Sequence, residues 1–334
     1  MTLLSKPGLA MFAVAAVGVS AIAGYGIYKV ISGRNQRRKI REAVDAMIAG
    51  LDKTNIYLKD PVGVREKLQR MYEAGTEKLQ IISDFDKTLT KYTLVNGLKG
   101  CSVHGVIETS KHFPESYREK ALALKNKYHP IELSSMSAEE KGPLMEEWWT
   151  KAHELILDLN LRKENLEVIV RDADIALRDG VEWLFVKSHE NKVPILILSG
   201  GLADIIKVVI DQQSELYDNV EIVGNYMKYN SQGVMDGFQG GLISSNNKHE
   251  MTKNLPYFQK TKNRPNAIVM GDLIQDTDVV SSIPNPGDVL TIGFLNEKVD
   301  ERLDSYTAAF DVVIVDDHSI QAVDVVLMQL FHMK

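Results

Sequence analysis

The chain has 334 residues, of which 44% are hydrophobic and 25% charged, a globular composition that excludes a disordered chain, a collagen-like repeat and a polytopic membrane protein. Seven of its 39 basic residues and none of its 45 acidic ones lie in residues 1–41, so the net charge of −6 divides into +7 there and −13 over the rest. A body this acidic argues against binding of a nucleic-acid polymer, because a phosphate backbone requires a clustered positive surface.

The first predicted element is an N-terminal transmembrane anchor over residues 1–33. Between Lys6 and Lys29 lie 22 uncharged residues, enough for a helix that crosses a hydrocarbon core of about 30 Å. Five basic residues between Arg34 and Arg41 follow, and the positive-inside tendency places that side in the cytosol. The sequence therefore predicts a single-pass protein of the mitochondrial outer membrane or the endoplasmic reticulum, with its catalytic domain in the cytosol. The alternatives are a cleaved signal peptide, a buried core helix and an unanchored cytoplasmic protein.

A juxtamembrane and helical segment is predicted over residues 34–75. Apolar residues recur at helical spacing between residues 40 and 51 and again between 64 and 72, and Gly75 is placed as a helix stop. Beyond it, short apolar runs alternate with helical stretches, which is typical of a parallel sheet covered by helices on both faces. The predicted strands are 79–83, 194–198, 220–223, 267–270, 289–292 and 311–315.

Residues 97–175 interrupt this alternation and contain no predicted strand. Helices are predicted over 116–128 and from Ser137, which forms a capping-box pair with Glu140. The predicted fold is therefore α/β, a Rossmann-like parallel sheet core of residues 76–96 and 176–334 with an all-helical cap inserted as residues 97–175. The body is predicted to be a monomeric soluble domain.

Polar residues that follow three of the predicted strands form the candidate site together with Lys248, which lies in a stretch without apolar periodicity. In open parallel sheets the carboxyl ends of the strands meet at one edge, and ligands bind there. Any one of these residues alone is weak evidence, since an Asp-x-Asp pair is commonly a solvated loop, but the ordered set predicts a catalytic site. Its members are Asp84, Asp86, Ser199, Gly200, Lys248, Asp272 and Asp276.

This ordered set resembles the four motifs of the haloacid-dehalogenase-like phosphatase superfamily. Over about residues 40–334 the chain is similar to the cytosolic pyrimidine 5′-nucleotidase family, type III, and it is most similar to the 7-methylguanosine phosphate-specific branch. The stretches that carry the resemblance are Asp84-Phe85-Asp86-x-Thr88-Leu89, Lys127-Tyr128-x-x-Ile131-Glu132, Glu147-Trp148-Trp149-Thr150-Lys151-Ala152-His153, Asn247-Lys248-His249 and Gly293-Phe294-Leu295-Asn296.

The resemblance implies a magnesium-dependent hydrolysis of nucleoside 5′-monophosphates through an aspartyl-phosphate. Asp84 would be the nucleophile and Asp86 the general acid and base. The family's Mg²⁺ is held by the carboxylates of Asp84 and Asp272 and the backbone carbonyl of Asp86, all hard oxygen ligands. The phosphoryl group would be bound by Ser199, Gly200 and Lys248, and Asp276 would orient Lys248 or the metal ligands.

The cap would then read the nucleotide base. Glu132 matches the family position that accepts hydrogen bonds from the base, and Trp149 would stack on it. Because N7-methylation makes guanine cationic, an indole face favours 7-methyl-GMP while still admitting CMP and possibly UMP. Neighbouring helix residues point about 100° apart, so Trp148 and Trp149 are expected to face different ways, one of them into the core. An ordinary core tryptophan is the alternative for Trp149.

Two residues depart from the family's last motif. Leu273 removes a hydroxyl near the metal site, and Gln275 replaces a glycine that would suit an unusual backbone conformation. Both metal-site carboxylates are present, so activity is expected, with an altered magnesium affinity or rate. Two alternatives stay open: a phosphatase or phosphotransferase for another small phosphate, and a catalytically impaired, membrane-tethered protein that binds nucleotide or a partner.

Overall fold

The computed structural model describes residues 32–134, 136–244, 247–252, 255–315 and 318–331. The strands are β1 (Ile56–Leu58), β2 (Leu79–Ser83), β3 (Ile195–Leu202), β4 (Val220–Tyr229), β5 (Met235–Gln239), β6 (Asn266–Gly271), β7 (Val289–Leu295) and β8 (Val312–Val315). The helices are α1 (32–51), α2 (Pro61–Ala74), α3 (Val103–Glu108), α4 (Glu115–Glu132), α5 (Ala138–Leu157), α6 (Leu166–Arg171), α7 (Val181–Glu190), α8 (Ala203–Gln213), α9 (Lys248–Thr252), α10 (Pro256–Lys260), α11 (Val299–Ala309) and α12 (Gln321–Phe331).

The strands form one mixed sheet in the order β1-β8-β7-β6-β2-β3-β4-β5. The six central strands are parallel, as predicted, but β1 pairs antiparallel with β8 and β5 pairs antiparallel with β4. The prediction of a purely parallel sheet is therefore wrong at both edges. The three-residue β1 and the polar, glycine-containing β5 lack the apolar run that identifies a buried parallel strand.

The helical segment before the sheet agrees with the sequence pattern. In α1 the residues Val44, Met47 and Leu51 are buried, and a Cβ on Gly50 would lie 2.4 Å from Val325 of α12, so α1 packs directly on the body. Helix α2 ends where Gly75, at a φ of 79°, donates its N–H to a carbonyl of the last turn. A positive φ is readily adopted by glycine, which explains the stop.

The inserted segment is helical. Apart from residue 135, which is not described, residues 97–175 contain α3 to α6 and only isolated bridges to other segments. The capping box predicted for α5 is confirmed, because Glu140 donates its N–H to Ser137 Oγ and Ser137 donates to Glu140 Oε2. Helices α4 and α5 also share a small apolar cluster of their own, separate from the main core, built on Tyr128, Met145 and Trp148.

The predicted anchor lies outside the described residues except for residues 32 and 33. Within the described part of the chain, no helix combines the length and the apolar character that crossing a bilayer requires. The domain boundaries and the anchor therefore stay predictions.

Candidate active site

Three adjacent strands bring the candidate residues to one edge of the sheet. Strand β2 lies between β3 and β6, and its last residue Ser83 is in register with Ile197 of β3 and Met270 of β6. Asp84, which follows β2, donates its N–H to the carbonyl of Met270 over 2.9 Å. Parallel pairing thus places Asp84 beside Ser199 and Asp272, as the strand ends predict.

Lys248 bridges two buried carboxylates at this edge. Its Nζ lies 2.6 Å from Asp84 Oδ1 and 2.6 Å from Asp276 Oδ1, and each of the three residues is less than 9% exposed. Burial raises the pKa of Asp84 to about 6, although the Lys248 ammonium acts against this rise. Burial also disfavours the charged form of Lys248, but Asp276 and Asp84 outweigh it and raise the pKa of Lys248. Lys248 is therefore a fixed positive charge, positioned from two sides.

The carboxylates of Asp84, Asp272 and Asp276 form a group that fits a divalent cation. One oxygen of each lies within 4.8 Å of the others. Burial, and then the neighbouring Asp84, raises the pKa of Asp272 well above its ordinary value, as expected for a buried carboxyl group among other carboxylates. Hard oxygen donors are the ligands that Mg²⁺ prefers, so the donor set suits the predicted ion. Asp276, predicted as a supporting residue, lies close enough to be a ligand itself.

Asp86 occupies the other side of the nucleophile position. Its Oδ1 accepts the backbone N–H of Val103 over 2.9 Å. Burial, together with the charge of Asp84, raises the pKa of Asp86 to about 7. A carboxyl group with a pKa near neutrality can both donate and accept a proton at physiological pH. Space here is limited: a Cβ on Gly201 would lie 2.1 Å from Val103 and 3.1 Å from Ser199 Oγ.

The two departures from the family motif are accommodated without backbone strain. Gln275 lies in a 3₁₀ helix, Ile274–Ser282, and does not adopt a positive φ, so this backbone does not call for a glycine. Leu273 lines the cavity and donates its N–H to Asp276 Oδ2 over 2.9 Å. The position in this motif that requires a glycine is Gly271, where a Cβ would lie 2.2 Å from Asp276 Oδ2.

A cavity of about 300 Å³ separates the core from the cap and holds nearly all the candidate residues. That size is at the lower end of the range for small-molecule sites. Asp276 lies behind Lys248, beside a second, much smaller cavity. The predicted residues that line the main cavity are Asp84, Asp86, Glu132, Trp149, Ser199, Gly200, Lys248 and Asp272.

Aromatic rings form the cap side of the cavity. The rings of Trp148 and Trp149 stack with centroids 4.8 Å apart and planes 13° apart, and both line the cavity. The expectation that they face different ways is therefore wrong, because rotation about the side-chain bonds brings the two rings together although their Cβ atoms diverge. Trp148, 5% exposed, is also the core residue of the pair, since it stacks on Tyr128. Neither indole N–H has a hydrogen-bond partner among the described residues.

His104, a single cap histidine to which the sequence alone assigns no role, lines the cavity. It is 2% exposed, its ring centroid lies 4.5 Å from that of Trp149, and its Nε2 lies 3.4 Å from Nε2 of His153. Burial lowers the pKa of His104 well below its usual value and that of His153 to about 4. Both imidazoles are therefore neutral near pH 7.

A cluster of polar residues lies at the end of β7, and the sequence alone indicated no site role for it although Asn296 stands in one of the motif stretches. Lys87 adopts a φ of 58°, and its carbonyl accepts hydrogen bonds from Arg178 and Asn296 over 2.8 and 3.1 Å. Its Nζ pairs with Glu297 Oε1 over 2.9 Å, and Lys87, Asn296 and Glu297 all line the cavity. Asn296 and Glu297 follow a strand at the same edge of the sheet, so the strand-end rule could have found them. Arg178 has no local pattern that could have marked it.

Comparison with known proteins agrees with this geometry. The family model described as pyrimidine 5′-nucleotidase (UMPH-1) matches residues 87–331. The 7-methylguanosine phosphate-specific 5′-nucleotidase of Gallus gallus is 36% identical over 283 residues, which cover 84% of this chain and 98% of that protein. The enzyme of the same name from Homo sapiens is 34% identical over 285 residues, covering 85% and 95%.

A solved structure is similar over the same extent. The crystal structure of cytosolic 5′-nucleotidase IIIB bound to cytidine superposes with a TM-score of 0.78 at 30% identity, covering 86% of this chain and 97% of that one. The resemblance indicated by the sequence motifs is thereby confirmed.

Proposed function

The chain belongs to the pyrimidine 5′-nucleotidase family and is a 5′-nucleotidase; we propose that it hydrolyses 7-methyl-GMP and CMP, and to a lesser extent UMP, to nucleoside and phosphate. The observation that carries this proposal is the meeting of Asp84, Asp86 and Lys248 with Trp149 in one cavity. The named specificity of the relatives supports 7-methyl-GMP, and the cytidine in the solved relative supports CMP.

The phosphoryl group is transferred twice, first to Asp84 and then to water. The carboxylate of Asp84 attacks phosphorus while the bond to the ribose 5′-oxygen breaks, and Asp86 gives that oxygen its proton. Asp86, now ionised, takes a proton from a water molecule that attacks the aspartyl-phosphate, which releases phosphate and restores both carboxyl groups. A pKa of about 7 for Asp86 suits both directions of proton transfer.

A small set of groups binds the phosphate and offsets its negative charge. Lys248 supplies a positive charge fixed by Asp276, and Ser199 and Gly200 line the cavity as hydrogen-bond donors to the phosphoryl oxygens. Mg²⁺ would be held by Asp84, Asp272 and the carbonyl of Asp86, with Asp276 close by, and would supply charge that screens the phosphate dianion. Chelation of divalent ions should therefore stop phosphate release, and added Mg²⁺ should restore it.

Base recognition belongs to the cap. Trp149 presents a ring to the cavity, and an indole face attracts the cationic 7-methylguanine more than a neutral base. Glu132 lines the same cavity and accepts hydrogen bonds from the amino group of cytosine or from the N–H groups of guanine.

Phosphate release by the full-length protein in detergent micelles with Mg²⁺ tests the proposal. The substrates are 7-methyl-GMP, CMP, UMP, GMP and AMP, with Asp84→Asn as the matched inactive control. We expect release from the first three and little from GMP or AMP. Absence of release from all five, with the fold verified by circular dichroism, would contradict the proposal. Release from other small phosphates in their place would support the alternative phosphatase.

The location of the protein is a second proposal: residues 1–33 anchor it in a membrane, with the catalytic domain in the cytosol. The catalytic body begins with α1, which is packed on that body and exposes its basic first turns. The solved relative is named a cytosolic 5′-nucleotidase, which supports the alternative of an unanchored cytoplasmic enzyme. Carbonate extraction of cell membranes separates the two: the full-length protein should stay in the pellet, and recovery in the supernatant would favour the alternative.

A further inference from the structure

A row of ring contacts continues from the base-reading side of the cap to strand β5, and two of its three contacts are stacked. His153 of α5 lies face to face with Phe238 of β5, with centroids 3.8 Å apart and planes 16° apart. The ring of His153 is in turn nearly parallel to that of His104, at 5.6 Å and 13°. His104 then contacts Trp149, with centroids 4.5 Å apart and planes tilted by 44°. Phe238 is thus the core end of a row whose other end is the proposed base-stacking tryptophan.

The contacts along this row leave His104 little freedom. One nitrogen of His104 faces Nε2 of His153 at 3.4 Å, and both histidines are less than 9% exposed. Phe238 is fixed independently, because β5 pairs with β4 and Phe238 is in register with Met227, a fully buried residue. The edge strand β5, held by its pairing with β4, therefore supports one face of His153, and His153 supports His104.

We propose that Phe238 and His153 are positioning residues that hold His104 against Trp149 and thereby set the affinity of the cavity for the nucleotide base. The inference deepens the proposed function and rests on it for the identity of the ligand. In this arrangement the affinity for the base depends on Phe238, a residue of the core sheet. The contact between Phe238 and His153 joins the cap to β5. Stacked aromatic pairs add stabilisation beyond their buried area, so removal of one ring weakens the row.

Substitution of Phe238 tests this with nucleosides, which carry no phosphate and so report on the base alone. Quenching of tryptophan fluorescence by 7-methylguanosine and by cytidine gives the dissociation constants for the full-length protein. In Phe238→Leu we expect both constants to rise about three- to tenfold, while kcat for CMP stays within about twofold. Phe238→Tyr, which keeps the ring, should restore the affinity.

Phe331→Leu is the matched control. It removes a phenyl ring stacked on Trp183 at 6.3 Å, away from the residues that line the cavity, and should leave both dissociation constants unchanged. Constants within twofold of the original in Phe238→Leu, or an equal rise in Phe331→Leu, would overturn the inference, as would failure of the unmodified protein to bind either nucleoside. If the unmodified protein binds nucleosides but releases no phosphate, the proposed function fails, and a weakened Phe238→Leu still supports the positioning role.

Discussion

At the core end of the cavity, Lys248 meets Asp84 and Asp276 at 2.6 Å, and all three are charged groups removed from water. At the cap end, Trp148, Trp149 and His104 meet through ring contacts of 4.5 to 4.8 Å and present neutral faces. Charges in a dry site interact strongly, whereas ring contacts are individually weak. Core substitutions should therefore cause large losses that are the same for every nucleotide, and cap substitutions smaller losses that depend on the base.

The largest effect is expected from Asp84→Asn. The amide cannot attack phosphorus, so kcat should fall by at least about 10³-fold for 7-methyl-GMP and CMP alike. Phosphate release measures the loss, and circular dichroism shows whether the fold is retained. Residual activity above one tenth of the original would contradict the assignment of Asp84 as nucleophile, and a loss confined to one nucleotide would break the contrast between core and cap.

Replacement of Lys248 by methionine comes next. It removes the positive charge that pairs with both Asp84 and Asp276, so kcat should fall by about 10²- to 10³-fold for both nucleotides. Lys91→Met is the matched control, because Lys91 forms an ion pair of equal length, 2.6 Å, with Asp179 and does not line the cavity. An equal loss in the control would mean that Lys248 acts through stability alone.

The same contrast explains what the sequence could predict. The residues of the core site follow from strand ends, because parallel pairing fixes where each chain leaves the sheet. The orientation of Trp148 and Trp149 could not follow from helix periodicity, which places Cβ atoms and not rings. Arg178 was missed because its partners Lys87 and Asn296 lie 91 and 118 residues away in the sequence.

The edge strands were missed for a related reason. Strand β1 has only three residues, and β5 is polar along much of its length, so neither carries the pattern of a buried strand. Yet β5 supplies Phe238, which contacts the cap. What escaped prediction therefore depends on side-chain rotation or on pairing with residues distant in the sequence, neither of which a local pattern shows.

A smaller effect should appear in the pH dependence of stability. Burial lowers the pKa of His153 to about 4, against about 6.5 in an unfolded chain. The unfolded chain therefore takes up this proton first, so the stability is complete above about pH 6.5 and is lost as the pH falls toward 4.

Between pH 7 and pH 5 this one histidine should cost about 2 kcal/mol of unfolding free energy. His153→Phe keeps a ring but binds no proton, so its loss between the two pH values should be smaller by that amount, as measured by urea denaturation. His189→Phe, at a 45% exposed histidine that stacks on Tyr217, is the control for replacing an imidazole by a phenyl ring. Equal losses in the unmodified protein and His153→Phe would show that His153 is not kept neutral by burial.

The smallest effect, and the one most specific to the cap, is expected from Trp149→Ala. Attraction between an indole face and a cation adds a free energy that a neutral base does not receive, so KM should rise about five- to tenfold more for 7-methyl-GMP than for CMP, with kcat nearly unchanged. Trp183→Ala, outside the cavity lining, controls for the loss of an indole. Equal rises in the two KM values would show that Trp149 does not distinguish a cationic from a neutral base and serves only to pack the cap. A fall in kcat without a change in KM would instead tie Trp149 to the phosphate end, and the two ends of the cavity would no longer be separable.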